Sequence, residues 1–354
     1  MVLDSISSVP HTFSCPESQS ATNLGALGQG PSVDQQQHLS VEAKRCLQQG
    51  VTERRKGNTT AAITSLKQAL GIFRTLSQAE SEAKVLVDIA YLYYRFGDYQ
   101  RAVEYAGQGL ALANCIGHKN LMHHALGCLG NSYRHSGDLE KAQTSMIQSL
   151  SLAQDMADTE AEMRALSNLA LVYRAQGDSA KAIELYQKSL RLAEVQNNAT
   201  AIEQLLRNLG NAYHALGDPH KTIEYYDRLL QRARDRMDLK IVSKILHNLN
   251  SACCSLGDYP RAIFYLQERL KVLQNLQDSR GEAQTLENLA VVYDALGNPS
   301  QALQAREARL EIAIAQQDLE LQRQALSSFK ASCLAEGDFE RFQRYIDYLT
   351  ESIS

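Results

Sequence analysis

The sequence predicts an all-α fold, a solenoid of about eight helix-turn-helix units, and three observations lead to this prediction. Glycine recurs every forty residues through most of the 354-residue chain, and Asp or Asn follows it each time. Apolar residues recur at helical spacing on both sides of that glycine. No proline falls inside a predicted helix. A fixed period of this length indicates an array whose units bury their apolar faces only against their neighbours.

The segment before each glycine is predicted to be the first helix of a unit. In the fifth unit, Leu206, Leu209 and Tyr213 follow one another at three- and four-residue steps, which places them on one helix face. The same pattern precedes the other glycines. The glycines that end these helices are Gly57, Gly97, Gly137, Gly177, Gly217, Gly257, Gly297 and Gly337.

The segment after each glycine is predicted to be the second helix of the unit, as the spacing of Ala182 and Leu190 indicates. Glycine adopts the left-handed conformation past a helix end at little steric cost, and the Asp or Asn that follows can accept from free N–H groups of the next helix. Pro219, Pro260 and Pro299 lie in the first turn of their helices, where proline is tolerated.

The chain is predicted to hold one elongated domain, residues 41–350, after a disordered tail, residues 1–40. The tail has no Lys or Arg, is rich in Ser, Gln, Gly and Pro, and lacks the basic start and apolar core of a secretory signal. No apolar run reaches the length of a membrane span. The units are predicted near 41–80, 81–120, 121–160, 161–200, 201–240, 241–280, 281–320 and 321–350.

The repeat resembles the tetratricopeptide repeat (TPR) family, which has Leu, a small residue and Tyr on the first helix, Gly at the turn and Ala on the second helix. The small residues here are Ala90, Gly130, Ala170, Gly210 and Ala290, and the second-helix alanines are Ala62, Ala102, Ala142, Ala182, Ala262 and Ala302. The forty-residue period is similar to that of the Pins/LGN and rapsyn adaptors and of bacterial TPR regulators and sensors. The resemblance implies a right-handed superhelix whose first helices line a concave groove that holds partner peptides.

Asparagines recur on the predicted groove side of the first helices, nine residues before successive glycines, and they allow two interpretations. The amides could hydrogen-bond to a neighbouring helix and maintain the repeat geometry. They could instead hold the backbone of an extended peptide, because an amide carries both a donor and an acceptor. The regular spacing is compatible with both, and one residue could serve both purposes.

Basic residues outnumber acidic residues at the predicted groove positions, although the whole chain has a formal net charge of −4. Such segregation favours acidic ligands, and ordinary solvated helix surface is the alternative. Histidines, among them His124, His135 and His247, would add to the positive charge when protonated. The predicted peptide-binding residues are Asn131, Arg134, Arg164, Asn168, Arg174, Arg207, Asn208, Asn211, His214, Lys244, Asn248 and Asn288.

The sequence contains no pattern that predicts an enzyme, a metal site or a cofactor. No glycine-rich phosphate loop, nucleophile elbow or metal-ligand spacing is recognisable. Nucleic-acid binding is not expected either, because the chain is acidic, lacks Trp and has no Lys/Arg run. Seven cysteines without regular pairing favour a reducing compartment, and a cytoplasmic location is predicted.

The leading functional hypothesis is a non-catalytic adaptor or scaffold that binds an acidic or extended segment of another protein in the groove. The alternative is a peptide-responsive regulator or sensor, in which a ligand changes the superhelix and so alters the binding of a second partner. Membrane insertion is not expected. Self-association remains open.

Overall fold

A computed structural model describes residues 32–351, and every regular element in that range is an α-helix, as the sequence predicts. None of these helices combines the length and apolar character needed to cross a bilayer. The helices are α1 (Val33–Arg55), α2 (Thr59–Thr75), α3 (Ala79–Phe96), α4 (Tyr99–Cys115), α5 (Lys119–Ser136), α6 (Leu139–Asp155), α7 (Thr159–Ala175), α8 (Ser179–Val195), α9 (Ala199–Leu216), α10 (Pro219–Asp235), α11 (Leu239–Leu256), α12 (Tyr259–Leu276), α13 (Ser279–Ala295), α14 (Pro299–Ala315), α15 (Leu319–Glu336) and α16 (Phe339–Glu351).

The chain divides into two compact units, the first ending at Asn198 and the second beginning at Ala199. Within each unit, consecutive helices pack against each other, so that each unit is a solenoid of helical hairpins. In the first unit, α5 also contacts both α3 and α7. The first helices of three successive hairpins therefore lie side by side.

The first helix begins at Val33, before the predicted boundary at residue 41. Ser32 accepts from the backbone of Gln35, and the Gln35 side chain accepts from the backbone of Ser32, a reciprocal pair that stabilises a helix start. Residues 33–38 are all exposed, so no apolar period marks this turn of helix in the sequence. The rest of the predicted tail, residues 1–31, lies outside the described residues.

The Gly-Asp dipeptide ends one helix and begins the next. Gly137 has a φ of 88°, the left-handed conformation that glycine adopts without steric penalty. Asp138 then accepts from the backbone N–H of Lys141 at 3.2 Å, which satisfies one free donor of the first turn of α6. Asp178 makes the same contact with Lys181 at 3.0 Å.

A second left-handed turn lies halfway between successive glycines, and the sequence pattern does not reveal it because most of these residues have side chains. Ala157 has a φ of 50° and Met237 a φ of 55°. The non-glycine residues with this conformation are Ser77, Ala157, Asn197, Met237, Gln277 and Gln317. Each helix with its turn therefore spans twenty residues, half of the sequence period.

Small residues on the first helix allow the two helices of a hairpin to approach closely. A Cβ added to Gly130 would lie 2.7 Å from Cε of Met146, and one added to Gly210 would lie 3.0 Å from the ring of Tyr226. Met146 is fully buried and Tyr226 nearly so. The small residue that the repeat requires is thus explained by the side chain sixteen positions later.

We predict that Met237→Gly stabilises the second unit. The side chain of Met237 is 84% exposed, so little packing is lost, while a left-handed residue other than glycine costs roughly 1–2 kcal/mol. Part of that gain is offset by the greater freedom of glycine in the unfolded chain, which leaves up to about 1 kcal/mol. Urea denaturation measures the change. Gly217→Ala, at a turn with a φ of 79°, should instead destabilise the unit. If both variants change the free energy of unfolding in the same direction, the explanation is wrong.

Candidate functional site

An open groove of about 410 Å³ runs along α3, α5 and α7 of the first unit. Its volume falls within the range of about 300–1,000 Å³ that is usual for ligand sites. Three of the predicted binding residues, Asn131, Arg164 and Asn168, line it.

Asn131 on α5 and Asn168 on α7 present unused amides to this groove. Both side chains are half-buried, and neither makes a hydrogen bond with another residue of the described chain. An amide in this condition can both donate to and accept from the backbone of a bound segment. For these two residues, no hydrogen bond within residues 32–351 supports the purely structural interpretation.

The charged residues of the groove are Lys84, Asp88 and Arg164. Lys84 is exposed and has no ion-pair partner among the described residues, whereas Arg164 forms an exposed pair with Glu160 at 2.5 Å. Exposed pairs of this kind contribute little to stability, so a ligand can compete for Arg164. Burial raises the pKa of Asp88, against the opposing influence of Arg54 and Lys84. With Asp88 ionised, the groove carries one more positive than negative side chain.

The groove histidines do not add the positive charge that the sequence interpretation assigned to them. Burial lowers the pKa of both His123 and His124, which lie beside Arg164. Nδ1 of His123 lies 3.1 Å from the carbonyl oxygen of Ser149, so this nitrogen carries the proton and donates. Both imidazoles are neutral at neutral pH because the unshifted histidine pKa is already about 6.5.

Arg134 does not line the groove but lies beside residues that are close to it. Its guanidinium donates to Nε2 of His135 at 2.8 Å, and the hydroxyl of Tyr94, a groove residue, lies 3.3 Å from the same nitrogen. Since arginine cannot accept, Nε2 is the acceptor, and neutral His135 carries its proton on Nδ1. Burial and the Arg134 charge lower the pKa of His135, so it too is neutral at neutral pH.

Arg174 also lies outside the groove, and its charge acts on Tyr186 together with that of Arg134. The side chain of Tyr186 is fully buried, and its hydroxyl has no hydrogen-bond partner within the described chain. Burial raises the pKa of Tyr186, and the two arginines oppose that rise. Arg134 and Arg174 do not line this cavity with Asn131 and Asn168, and their part in a peptide-binding surface stays a prediction.

Two of the predicted asparagines in the second unit have a structural role. The buried Tyr226 hydroxyl donates to Oδ1 of Asn211 at 2.5 Å, and the Asn248 side chain also hydrogen-bonds to this hydroxyl. Burial raises the pKa of Tyr226, and Asn248 opposes that rise. Because Tyr226 belongs to α10 and Asn248 to α11, this contact joins neighbouring hairpins.

The remaining predicted residues of the second unit do not converge on one described cavity. Arg207, His214 and Lys244 are exposed. The Asn208 amide nitrogen is buried and has no hydrogen-bond partner in residues 32–351. Asn288 accepts from a glutamine one turn earlier on α13, at 3.3 Å.

Two carboxylates of α13, Glu287 and Asp294, are neutralised by arginines of α14. Arg309 donates to Glu287 at 2.7 Å, and Arg306 donates to Asp294 at 2.6 Å. Arg306 takes a second-helix position that holds Tyr226 and other core side chains in earlier hairpins. A charged residue at a core position of the repeat is the sequence signal that could have revealed this cluster.

Comparison with solved structures gives the same fold. One similar structure is a signal transduction ATPase with numerous domains from Pyrococcus horikoshii, which carries a tetratricopeptide repeat sensor. Its TM-score is 0.61 at 17% identity over 87% of this chain, and the match spans 48% of that protein. Aspartyl phosphate phosphatase F from Bacillus subtilis matches with a TM-score of 0.56, at 14% identity, over 81% of this chain and 73% of its own.

A third structure, a Rap protein complexed with competence and sporulation factor, matches with a TM-score of 0.52 at 19% identity, over 81% of this chain and 80% of its own. No curated protein matches the sequence. The tetratricopeptide repeat model matches residues 44–114, 121–194, 201–275 and 241–315. These matches cover more than half of the chain, and the chain belongs to the tetratricopeptide repeat family.

Proposed function

We propose that the protein is a non-catalytic adaptor that binds an extended, acidic segment of another protein in the groove of α3, α5 and α7. Family and fold support a role in protein interaction or regulation. The observation that carries the finer proposal is the pair of unused amides, Asn131 and Asn168, on adjacent first helices of one groove. Because the folded protein already holds these amides in place, it loses less conformational entropy when a ligand binds.

The charges of the groove support an acidic ligand. Lys84 on α3 and Arg164 on α7 flank α5, and Asp88 is the opposing carboxylate. Because the neighbouring histidines are neutral, this balance is the same throughout the neutral pH range. Charge-assisted hydrogen bonds to carboxylates are stronger than neutral ones, so Lys84 and Arg164 would select acidic segments.

The thiol in the groove supports a binding role rather than nucleophilic catalysis. Burial raises the pKa of Cys128 to about 12. The thiolate is the nucleophilic form of cysteine, and at neutral pH it is almost absent here.

A regulator is the second candidate, and the contacts of α5 with both α3 and α7 favour it. A ligand that touches all three helices would touch three hairpins, and could change their spacing. Small-angle X-ray scattering with and without a bound peptide separates the two functions. An adaptor keeps its radius of gyration, and a regulator changes it.

We predict that loss of the groove cations weakens the binding of acidic peptides. Peptides selected from a random display library on the purified full chain are the probe, and their affinity is measured by calorimetry. Lys84→Gln combined with Arg164→Gln should lower affinity about tenfold, since a hydrogen bond to a charged group contributes about 1.5–3 kcal/mol. Arg191→Gln, an exposed change on α8, is the control. If the double variant binds the peptides as tightly as the Arg191→Gln control does, the binding site lies elsewhere.

We predict opposite consequences for two asparagines at the same repeat position. Asn168→Ala should lower peptide affinity several-fold with little change in melting temperature, because its amide is unused in the protein. Asn248→Ala should lower stability by about 1 kcal/mol, because it removes a partner of the buried Tyr226 hydroxyl. Melting curves and calorimetry test both. The distinction fails if Asn168→Ala destabilises the chain as much as Asn248→Ala.

We predict that Asp88→Asn stabilises the protein at neutral pH. Burial raises the folded pKa of Asp88 above its unfolded value, so the ionised carboxylate disfavours folding above the folded pKa. The gain in melting temperature should shrink as pH falls through the folded pKa and should vanish below the unfolded pKa of about 3.9, where the carboxyl is protonated in both states. Acidic peptides should also bind more tightly to this variant.

Asp138→Asn is the control for that pH dependence. A hydrogen bond from Lys141 lowers the pKa of Asp138, so ionisation favours folding and the variant should be less stable at neutral pH. Its loss should disappear as pH falls. A gain for Asp88→Asn that does not depend on pH would contradict the assignment to ionisation.

A further inference from the structure

Gly127 is a glycine in the middle of α5 that the fold does not require. Glycine is the weakest helix former after proline, and Gly127 does not have a positive φ. A Cβ added there would meet no atom within 4 Å. Three residues later, a Cβ on Gly130 would collide with Met146. Packing therefore explains Gly130, whereas Gly127 leaves space open.

The space above Gly127 belongs to the groove, and part of the groove lining is apolar. Val87 and Leu121 are buried residues that line the groove, as is Cys128. Tyr91 forms part of the rim. An apolar side chain that contacts these residues would leave water for an apolar surface, which is favourable.

Polar groups lie next to this apolar space. Asn131 is one turn further along α5 from Gly127, so the two residues share a helix face. Lys84 lies on the α3 side of the groove. A segment that fills the apolar space can therefore meet a free amide and a free cation at the same time.

The corresponding position in other hairpins carries side chains of very different size. In the first unit it is occupied by Val87, Gly127 and Ser167, and in the second unit Arg207 stands there. The turns and core positions keep their character from hairpin to hairpin, while this groove position varies. Such variation is expected where the local function is to match a ligand.

We propose that Gly127 determines the specificity of the groove by leaving room for a large apolar side chain of the bound segment. Asn131 then holds the adjacent backbone of the segment, and Lys84 pairs with a neighbouring carboxylate. The expected ligand is an extended protein segment in which a bulky apolar residue lies next to an acidic one. This inference rests on the function proposed above and adds the apolar anchor to it.

The test uses peptides selected from a random display library on the purified full chain. Large apolar residues beside Asp or Glu should be enriched among them. Gly127→Leu should lower the affinity of these peptides about tenfold or more, because it fills the space that the anchor occupies. Gly127→Ala should lower it less and raise the melting temperature, since alanine favours a helix interior.

Gly71→Ala is the matched control. Gly71 lies within α2, where an added Cβ also meets no atom within 4 Å, and it does not line the groove. It should raise the melting temperature as Gly127→Ala does, without changing peptide affinity. A selected peptide whose apolar residue is truncated to alanine should bind weakly, and Gly127→Leu should weaken it little further.

The inference is overturned if the selected peptides bind Gly127→Leu and Gly127→Ala as tightly as the unchanged chain. If Lys84→Gln with Arg164→Gln still weakens those peptides, the proposed function survives without the apolar anchor. If affinity is insensitive to the cation variants as well, the groove is not the site, and both proposals fail.

Discussion

A left-handed turn every twenty residues is the constraint on which the rest of the structure depends. From Gly57 to Gly337, one residue with a positive φ ends each helix, and the next residues start a new one. Because the spacing is constant, residues forty apart occupy the same position within their own hairpins. The asparagines at Asn168 and Asn248 occupy equivalent positions for this reason.

Much of the fold could be predicted from the sequence because every second one of these turns contains a glycine in a forty-residue period. Helical spacing of apolar residues then identifies the two helices of each hairpin. The turns between them could not be predicted. Residues such as Ala157 and Met237 adopt the left-handed conformation there at a steric cost, and their residue types do not favour it. The start of α1 escaped for a different reason, because its first residues are exposed and carry no apolar period.

The groove was predictable in part. Repeat position specifies the direction in which a side chain leaves the first helix, and the two predicted residues Asn131 and Asn168 both line the groove of α3, α5 and α7. It does not specify what the second helix offers nearby. Asn248 has a partner because α10 supplies the Tyr226 hydroxyl, whereas Met146 takes the equivalent position of Tyr226 two hairpins earlier and offers no such group. Equivalent asparagines thus differ in role because of residues outside the repeated pattern.

The close approach of Gly130 to Met146, and of Gly210 to Tyr226, has a consequence for how such a chain changes in evolution. Both members of each pair belong to one hairpin, so a gene segment that encodes a hairpin carries both. Tandem duplication or deletion of whole hairpins therefore leaves their interiors intact. The contacts that a recombination breakpoint alters are those between hairpins, such as the bond between Tyr226 and Asn248.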